Sequence, residues 1–371
     1  MKVSIIGCGH GGQALAADLS RRGCEVTLYA PANHPGGIHA IAAAGGIHCS
    51  GQINAFVPIA KVTCSIEDTL TDSQYIFITI PSFAYESVFM ELLPHIKSGQ
   101  TIVTLASNFA SLIYLRLLMR MKKNKGINMI DVATLPYVCR ADHQGKVKII
   151  AIKKTVSAAS IPSSSIHEQL SALSAIFPCQ LEAFENVLSL GLNLINGLIH
   201  PSVTLFNAGR IGNGKKAFYF YRDGITPEIA GIIERLDEER MRIGSSFGFK
   251  MFRFLDTIEK YYERRYTSVY QFFCESPSHN ALPLCPASLR ERYIIQDVPG
   301  VLVPWYSLGK VMQIDSLPIH SVINLAGLLN HANYLRDGHN LSRLNLQDKS
   351  VEEIMQYINT GEVGQASHQV A

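Results

Sequence analysis

The sequence predicts an α/β fold, a doubly wound parallel sheet followed by an all-α C-terminal domain. Three observations predict it. A glycine-patterned turn separates an apolar run from a helical stretch at the start of the chain, apolar runs and helical stretches then alternate as far as Ile152, and beyond Phe184 long helical periodicities take over. Strands alternating with helices imply parallel pairing with helices on both faces. The 371 residues suffice for two domains with separate cores. The boundary is expected near residues 178 to 186, giving units of 1–182 and 183–371.

Val3 to Ile6 reads as the first strand, Gln13 to Leu19 has helical spacing, and a second strand ends at Leu28-Tyr29-Ala30. Between strand and helix, Gly7, Gly9 and Gly12 fill the G-x-G-x-x-G pattern, with His10 and Gly11 inside it. In that context the glycines have distinct tasks. Gly7 allows a tight turn, Gly9 lets the backbone approach a pyrophosphate, and Gly12 lets the helix pack on the strand, so a Rossmann-type dinucleotide site is expected. His10 is expected to face solvent at the helix start. No acid occurs between Glu25 and Glu67 to bind the ribose hydroxyls; an acid there would repel a 2′-phosphate, so NADP is favoured over NAD. Arg21, Arg22 and His34 are the candidates to grip that phosphate.

Further apolar runs lie at Tyr75 to Ile80, Thr101 to Leu105 and Met129 to Ala133, separated by helical stretches at Tyr85 to His95 and Leu112 to Lys122. Ligands of such sheets bind beyond the carboxyl ends of the strands. That places Pro81-Ser82-Phe83, Ala106-Ser107-Asn108 and Thr134-Leu135-Pro136 at the cleft, with Pro81 among the cofactor-binding residues. Two more strands are expected within Lys146 to Pro162, then a serine-rich turn and a helix from His167 to Ile176.

In Asn186 to Ile211, the residues Asn193, Asn196, His200, Thr204 and Asn207 recur at steps of three and four, drawing one polar stripe along a helix. Pro201 should bend that helix at His200, with Gly197 leaving room for the bend. Such a stripe must face something polar, and it interrupts the apolar run too often for a membrane span. Thr226-Pro227 is a helix start, and the following charge-dense stretch is expected to be a half-exposed helix laced with ion pairs or a subunit contact, not a catalytic carboxylate set. The Tyr- and Arg-rich segment from Tyr261 to Phe273 reads as surface packing. Arg292 and Asp297 flank a short apolar segment running into Pro299-Gly300, expected to be a buried loop that aims one acid and one base at a common target. The polar residues after Glu362 read as a frayed tail.

Composition narrows the function classes. A net charge of +3 with 47% hydrophobic and 17% charged residues names no nucleic-acid partner. The eight cysteines show no C-x-x-C pair, so neither a metal site nor a disulfide framework is expected, and a cytoplasmic home is. Nothing ahead of Lys2 resembles a signal peptide.

With these pieces in place the chain resembles the octopine/nopaline (opine) dehydrogenase family. The resemblance rests on the glycine fingerprint, TLPYVCR at Thr134 to Arg140, NGLIHPSVTLFNAGRI at Asn196 to Ile211, FYRDGITP at Phe220 to Pro227, LDEER at Leu236 to Arg240, and RYIIQDVPGVLVP at Arg292 to Pro304. It implies reductive condensation of an amino acid with a 2-oxo acid such as pyruvate, using NADH or NADPH, in a monomer or homodimer. It further implies that His200 is the acid/base histidine, Asp297 its carboxylate partner, Arg292 the clamp for a substrate carboxylate, and Asn196 the asparagine beside the histidine. Departures fall at Gln296, where the family usually has Glu, at Gly300 for a usual Tyr, at Tyr85 for a common His, and at Ala30. Two other readings stand beside it: a ketone or alcohol oxidoreductase of the glycerol-3-phosphate or ketopantoate reductase type, and a non-catalytic dinucleotide-binding regulator.

Overall fold

The structure is a computed structural model and describes residues 1–123, 126–214, 218–280 and 285–362. The tail expectation after Glu362 lies outside the described residues.

The chain opens with β1 (Lys2–Ile6), α1 (His10–Arg21), β2 (Glu25–Tyr29) and α2 (Ile38–Ala44). Three short strands follow, β3 (Gly46–Gly51), β4 (Ala55–Pro58) and β5 (Lys61–Thr63), then α3 (Ile66–Leu70). The alternation resumes with β6 (Tyr75–Ile78), α4 (Tyr85–Leu92), β7 (Thr101–Leu105), α5 (Ala110–Arg120) and β8 (Asn128–Val132). It ends with β9 (Tyr137–Ala141), β10 (Lys146–Ile152), β11 (Thr155–Ile161), α6 (Ile166–Ser174) and β12 (Gln180–Ala183). The main sheet has the order β12-β11-β8-β7-β6-β1-β2-β5, parallel except where β11 meets β8. Its central strands β6 and β7 are buried at every residue, as a sheet covered on both faces requires.

The sequence reading missed a second sheet, β4-β3-β10-β9. Thr134 to Pro136 is a loop at the cleft, as expected, but the strand that follows it, β9, leaves the alternating series: it pairs antiparallel with β10, which in turn runs parallel to β3, roughly a hundred residues earlier. Such pairing leaves no local signature.

Beyond β12 the described residues form helices and their connecting turns. α7 (Val187–Leu192), α8 (Asn196–Phe206) and α9 (Ala208–Asn213) lead to the long α10 (Pro227–Ser246). Thr226 caps α10 through its hydroxyl, and Pro227 occupies its first turn. On its outer face Arg235 pairs with Glu238 and Arg242 with Glu239, while Arg240 is buried against Asp237. Then come α11 (Phe254–Tyr262), α12 (Val269–Glu275), α13 (Pro277–Asn280), α14 (Arg292–Ile295), α15 (Val303–Val311), α16 (Leu317–Asn330), α17 (Tyr334–Asp337) and α18 (Val351–Thr360). The Tyr261 to Phe273 segment is not surface packing: Tyr261, Phe272 and Phe273 are buried core residues. No described helix is long and apolar enough to cross a membrane.

One apolar cluster joins the two halves, running from Ile6, Ile78 and Phe109 of the sheet layer to Leu198, Trp305 and Tyr357. The last described helix, α18, returns to the first half and packs on β11. Ser163 there donates a hydrogen bond to Asn359 at 2.9 Å.

Candidate active site

The glycine turn lies between β1 and α1. Gly7 sits at φ +113°, a conformation that disfavours a side chain, and its amide donates to the Tyr29 carbonyl at 2.9 Å. A Cβ at Gly12 would stand 1.8 Å from the Gly7 carbonyl oxygen, and one at Gly11 would meet Leu135 at 2.8 Å. At Gly9 nothing lies within 4 Å. Gly9 is also the N-cap of α1 and offers no side-chain cap, so the first amides of the helix remain free for an anion. This open, uncapped helix start fits the pyrophosphate of a dinucleotide. Pro81 stands exposed just beyond β6, and Thr79 behind it donates from its hydroxyl to the carbonyls of Ile6 and Gly7 at 3.0 and 3.1 Å.

Two expected phosphate-gripping residues are misplaced for that role. Arg21 and Arg22 stand at the far end of α1, about 18 Å along its axis from the glycine turn, and Arg22 is engaged by Asp18 at 3.2 Å and by the Pro178 carbonyl. His34, in the turn after β2, stands exposed near the end of that strand.

No break falls at His200. α8 runs unbroken through Pro201, and the interruption lies upstream, at Asn193 to Ile195. Pro201 falls in the second turn, where it offers no amide to the Gly197 carbonyl four residues back. Gly197 makes room for the neighbouring turn: a Cβ there would lie 2.7 Å from Val301. Val301 belongs to a π-helical turn, Val298–Leu302, and this close approach brings Asp297 beside His200. The segment expected as a buried loop is therefore helical, because its backbone groups find partners within α14 and the π turn.

His200 Nδ1 and Asp297 Oδ2 are 2.5 Å apart, and Asp297 is buried. Asp297 accepts the Nδ1 proton, which assigns the tautomer and leaves Nε2 as the working nitrogen. Nε2 lies 3.2 Å from the Tyr221 hydroxyl, and the imidazole stacks on Tyr293 with centroids 4.3 Å apart. Burial holds the Tyr221 phenol well above its ordinary value, so it is a neutral donor.

These groups line a cavity of about 160 Å³ that also includes Asn196, Arg292, His10, Arg140 and Lys153. Of the polar stripe, only Asn196 and His200 reach it. Asn193 is spent on the carbonyls of Ser189 and Lys250, Asn207 on those of Val203 and Gly224, and Thr204 is buried away from it. Arg292 is exposed at the cavity's edge, with its guanidinium 5.9 Å from the Tyr293 ring centroid. Among the described residues it forms no ion pair.

His10 does not face solvent. Its Nδ1 accepts the Ala141 amide at 2.9 Å, because β9 crosses over the start of α1 and turns the ring toward the cavity. Burial, with Arg140 and Arg292 nearby, pushes this imidazole down to about 4. The sequence reading also missed Tyr221, Tyr293, Arg140 and Lys153. Tyr221, Tyr293 and Arg140 fall within FYRDGITP, RYIIQDVPGVLVP and TLPYVCR, the segments that carry the family resemblance. Lys153 had no signal beyond its charge amid apolar neighbours.

Comparison with known proteins adds independent support. Residues 183–330 match the family model described as NAD/NADP octopine/nopaline dehydrogenase, alpha-helical domain, and residues 2–118 match NAD-dependent glycerol-3-phosphate dehydrogenase N-terminus. The chain is 26% identical to an opine dehydrogenase from Arthrobacter sp. (strain 1C), covering 92% of this chain and 94% of that one. It is 26% identical to a vitopine synthase from Allorhizobium ampelinum, covering 96% and 99%. A solved octopine dehydrogenase structure with NADH and L-arginine superposes with a TM-score of 0.78 at 17% identity, covering 100% of both chains.

Proposed function

The chain belongs to the octopine/nopaline dehydrogenase family, and from that premise we propose that it condenses an amino acid with a 2-oxo acid and reduces the resulting imine with NADPH. The observation that carries this reading is the His200–Asp297 pair at the wall of a cavity edged by Arg292.

Gly7, Gly9, Gly11, Gly12 and the start of α1 would hold the pyrophosphate, with His10 and Pro81 at its edges. When bound, the reduced nicotinamide supplies the hydride. His200 Nε2 takes a proton from the substrate ammonium, so that the free amine attacks the oxo carbon. The charged imidazole then returns that proton as the carbinolamine loses water and the imine forms. Asp297 keeps the ring oriented throughout, and Arg292 holds a carboxylate through paired hydrogen bonds, with Asn196 beside it. Overall, ammonium, oxo acid and hydride give a secondary amine and water, and one proton from solvent converts that amine to its ammonium form.

NADPH is favoured because Ala30 ends β2 where an acid would select NADH, while Asn33 and His34 of the following turn offer polar groups to a 2′-phosphate. The enzyme we infer works on small molecules, as a monomer or homodimer, without nucleic acid or membrane. Its eight free thiols suit the cytoplasm.

The test is loss of reduced-cofactor absorbance with pyruvate and pooled amino acids, each component omitted in turn. Oxidation that requires both the oxo acid and the amine supports the reading. Oxidation without the amine would mark a ketone reductase, and cofactor binding without any turnover a regulator.

A further inference from the structure

The cavity holds more fixed positive charge than the proposed reaction uses. Arg140, Lys153 and Arg292 line it against a single carboxylate, Asp297, which is engaged by His200. An amino acid and a 2-oxo acid present two carboxylates beside the reacting atoms, and the two guanidiniums suffice for these. Lys153 is then in excess.

Lys153 is also an unusual lysine. It is buried at the junction of β10 and β11, donating to the Leu135 carbonyl at 2.6 Å and to the Thr134 hydroxyl at 3.3 Å. An ammonium carries three donors, so one is left over. No carboxylate among the described residues pairs with it. From the other elements it faces Cys139 on β9, Cys179 before β12, Tyr261 on α11 and His279 on α13. Burial lifts both thiols, to about 11 and about 12, raises the phenol and depresses the imidazole to about 3, so none of the four carries charge at neutral pH. A buried ammonium without a counter-ion is costly unless an anion arrives to meet it.

Resting on the proposed condensation, we propose that Lys153 binds a third anionic group, so that one of the two substrates bears an acidic side chain: an acidic amino acid or a 2-oxo dicarboxylic acid. The Thr134-Leu135 loop holds the ammonium in place for it.

Two comparisons test this with the wild-type protein and NADPH: glutamate against its isostere glutamine as the amine, and 2-oxoglutarate against 2-oxopentanoate, which carries a methyl group in place of the second carboxylate, as the acceptor. In one arm kcat/KM should favour the acid by about tenfold or more, the worth of one charge-assisted hydrogen bond, and the arm that does so identifies which substrate carries the group. Lys153→Met should bring that ratio close to one, with thermal unfolding followed in parallel to report on the fold. Equal or better use of the neutral partner in both arms overturns the proposal and leaves Lys153 a lock for the Thr134-Leu135 loop. So does a preference that survives in a folded Lys153→Met protein. Absence of cofactor oxidation with any pair, acidic or neutral, instead sinks the condensation reading and this inference with it.

Discussion

The Tyr221 hydroxyl stands 3.2 Å from His200 Nε2, so both ring nitrogens of the histidine are engaged before any substrate enters. The two partners hold the ring by different means. Asp297 fixes the tautomer, while the phenol occupies the nitrogen that must exchange a proton. His200→Ala should therefore lower kcat roughly a hundred- to ten-thousandfold, with cofactor affinity retained. Tyr221→Phe removes one neutral hydrogen bond and should cost only about two- to tenfold. Steady-state kinetics with a cofactor-fluorescence titration separates the two, and loss of cofactor binding in His200→Ala would make the histidine structural.

Asp297→Asn keeps the shape of the buried site but replaces an acceptor with an amide. Its NH₂ can face Nδ1, which then becomes the acceptor and moves the proton to Nε2, the wrong nitrogen for a base. A fall of at least about a hundredfold in kcat is expected, with the fold intact by circular dichroism, as for carboxylates that orient catalytic imidazoles elsewhere. Near-normal turnover would show that Asp297 does not set the tautomer.

The two fingerprint glycines should fail differently when given a methyl group. Gly12→Ala drives Cβ to 1.8 Å from a backbone oxygen and should destabilise the protein by at least about 1–3 kcal/mol. Gly9→Ala meets nothing within 4 Å and has an ordinary φ of −82°, so the melting temperature should hold while cofactor affinity drops. Unchanged cofactor binding in Gly9→Ala would remove the pyrophosphate from that spot.

Three histidines resist protonation in the folded chain. Burial lowers His10 and His339 to about 4 and His279 to about 3, from an ordinary value of 6.5. Below pH 6.5 the unfolded chain takes up protons that the folded chain refuses, so stability must fall as the pH drops toward 4. At pH 5 the loss approaches roughly 2 kcal/mol per histidine as an upper figure. Urea midpoints at pH 7, 6 and 5 at constant salt read it directly, and a flat series would contradict it.

Burial lowers Lys153 to about 8 from 10.5. A base with a lowered value is charged below it and neutral above it, so any advantage of an acidic substrate should be full at pH 7 and fade above pH 8. Substrate competition measured from pH 6.5 to 9.5 checks this, and a constant ratio would show that the charge on Lys153 does not set the preference.

What the sequence revealed of this site follows the range of each interaction. The glycine turn and the capping of α10 are local, so spacing alone exposed them. His200 was visible because a histidine among regularly spaced polar residues on an apolar helix stands out, and Asp297 because an acid beside an apolar run must be answered somewhere. Arg140, Lys153 and the orientation of His10 depend on β9 pairing with β10 and on β10 joining β3 far upstream. No window of residues records those pairings. The packing of Gly197 is hidden for the same reason: the residue it admits, Val301, lies a hundred residues away along the chain.

The return of α18 to β11 bears on how the molecule is made. Ser163 and Asn359, which tie that helix to the first half, are separated by 196 positions. During synthesis the first half emerges before α18, so the flank of β11 stays bare until Asn359 has left the ribosome, and the shared apolar layer waits for Trp305 and Tyr357. The half that is made first is thus completed last, and the two halves should fold and melt as a single cooperative unit.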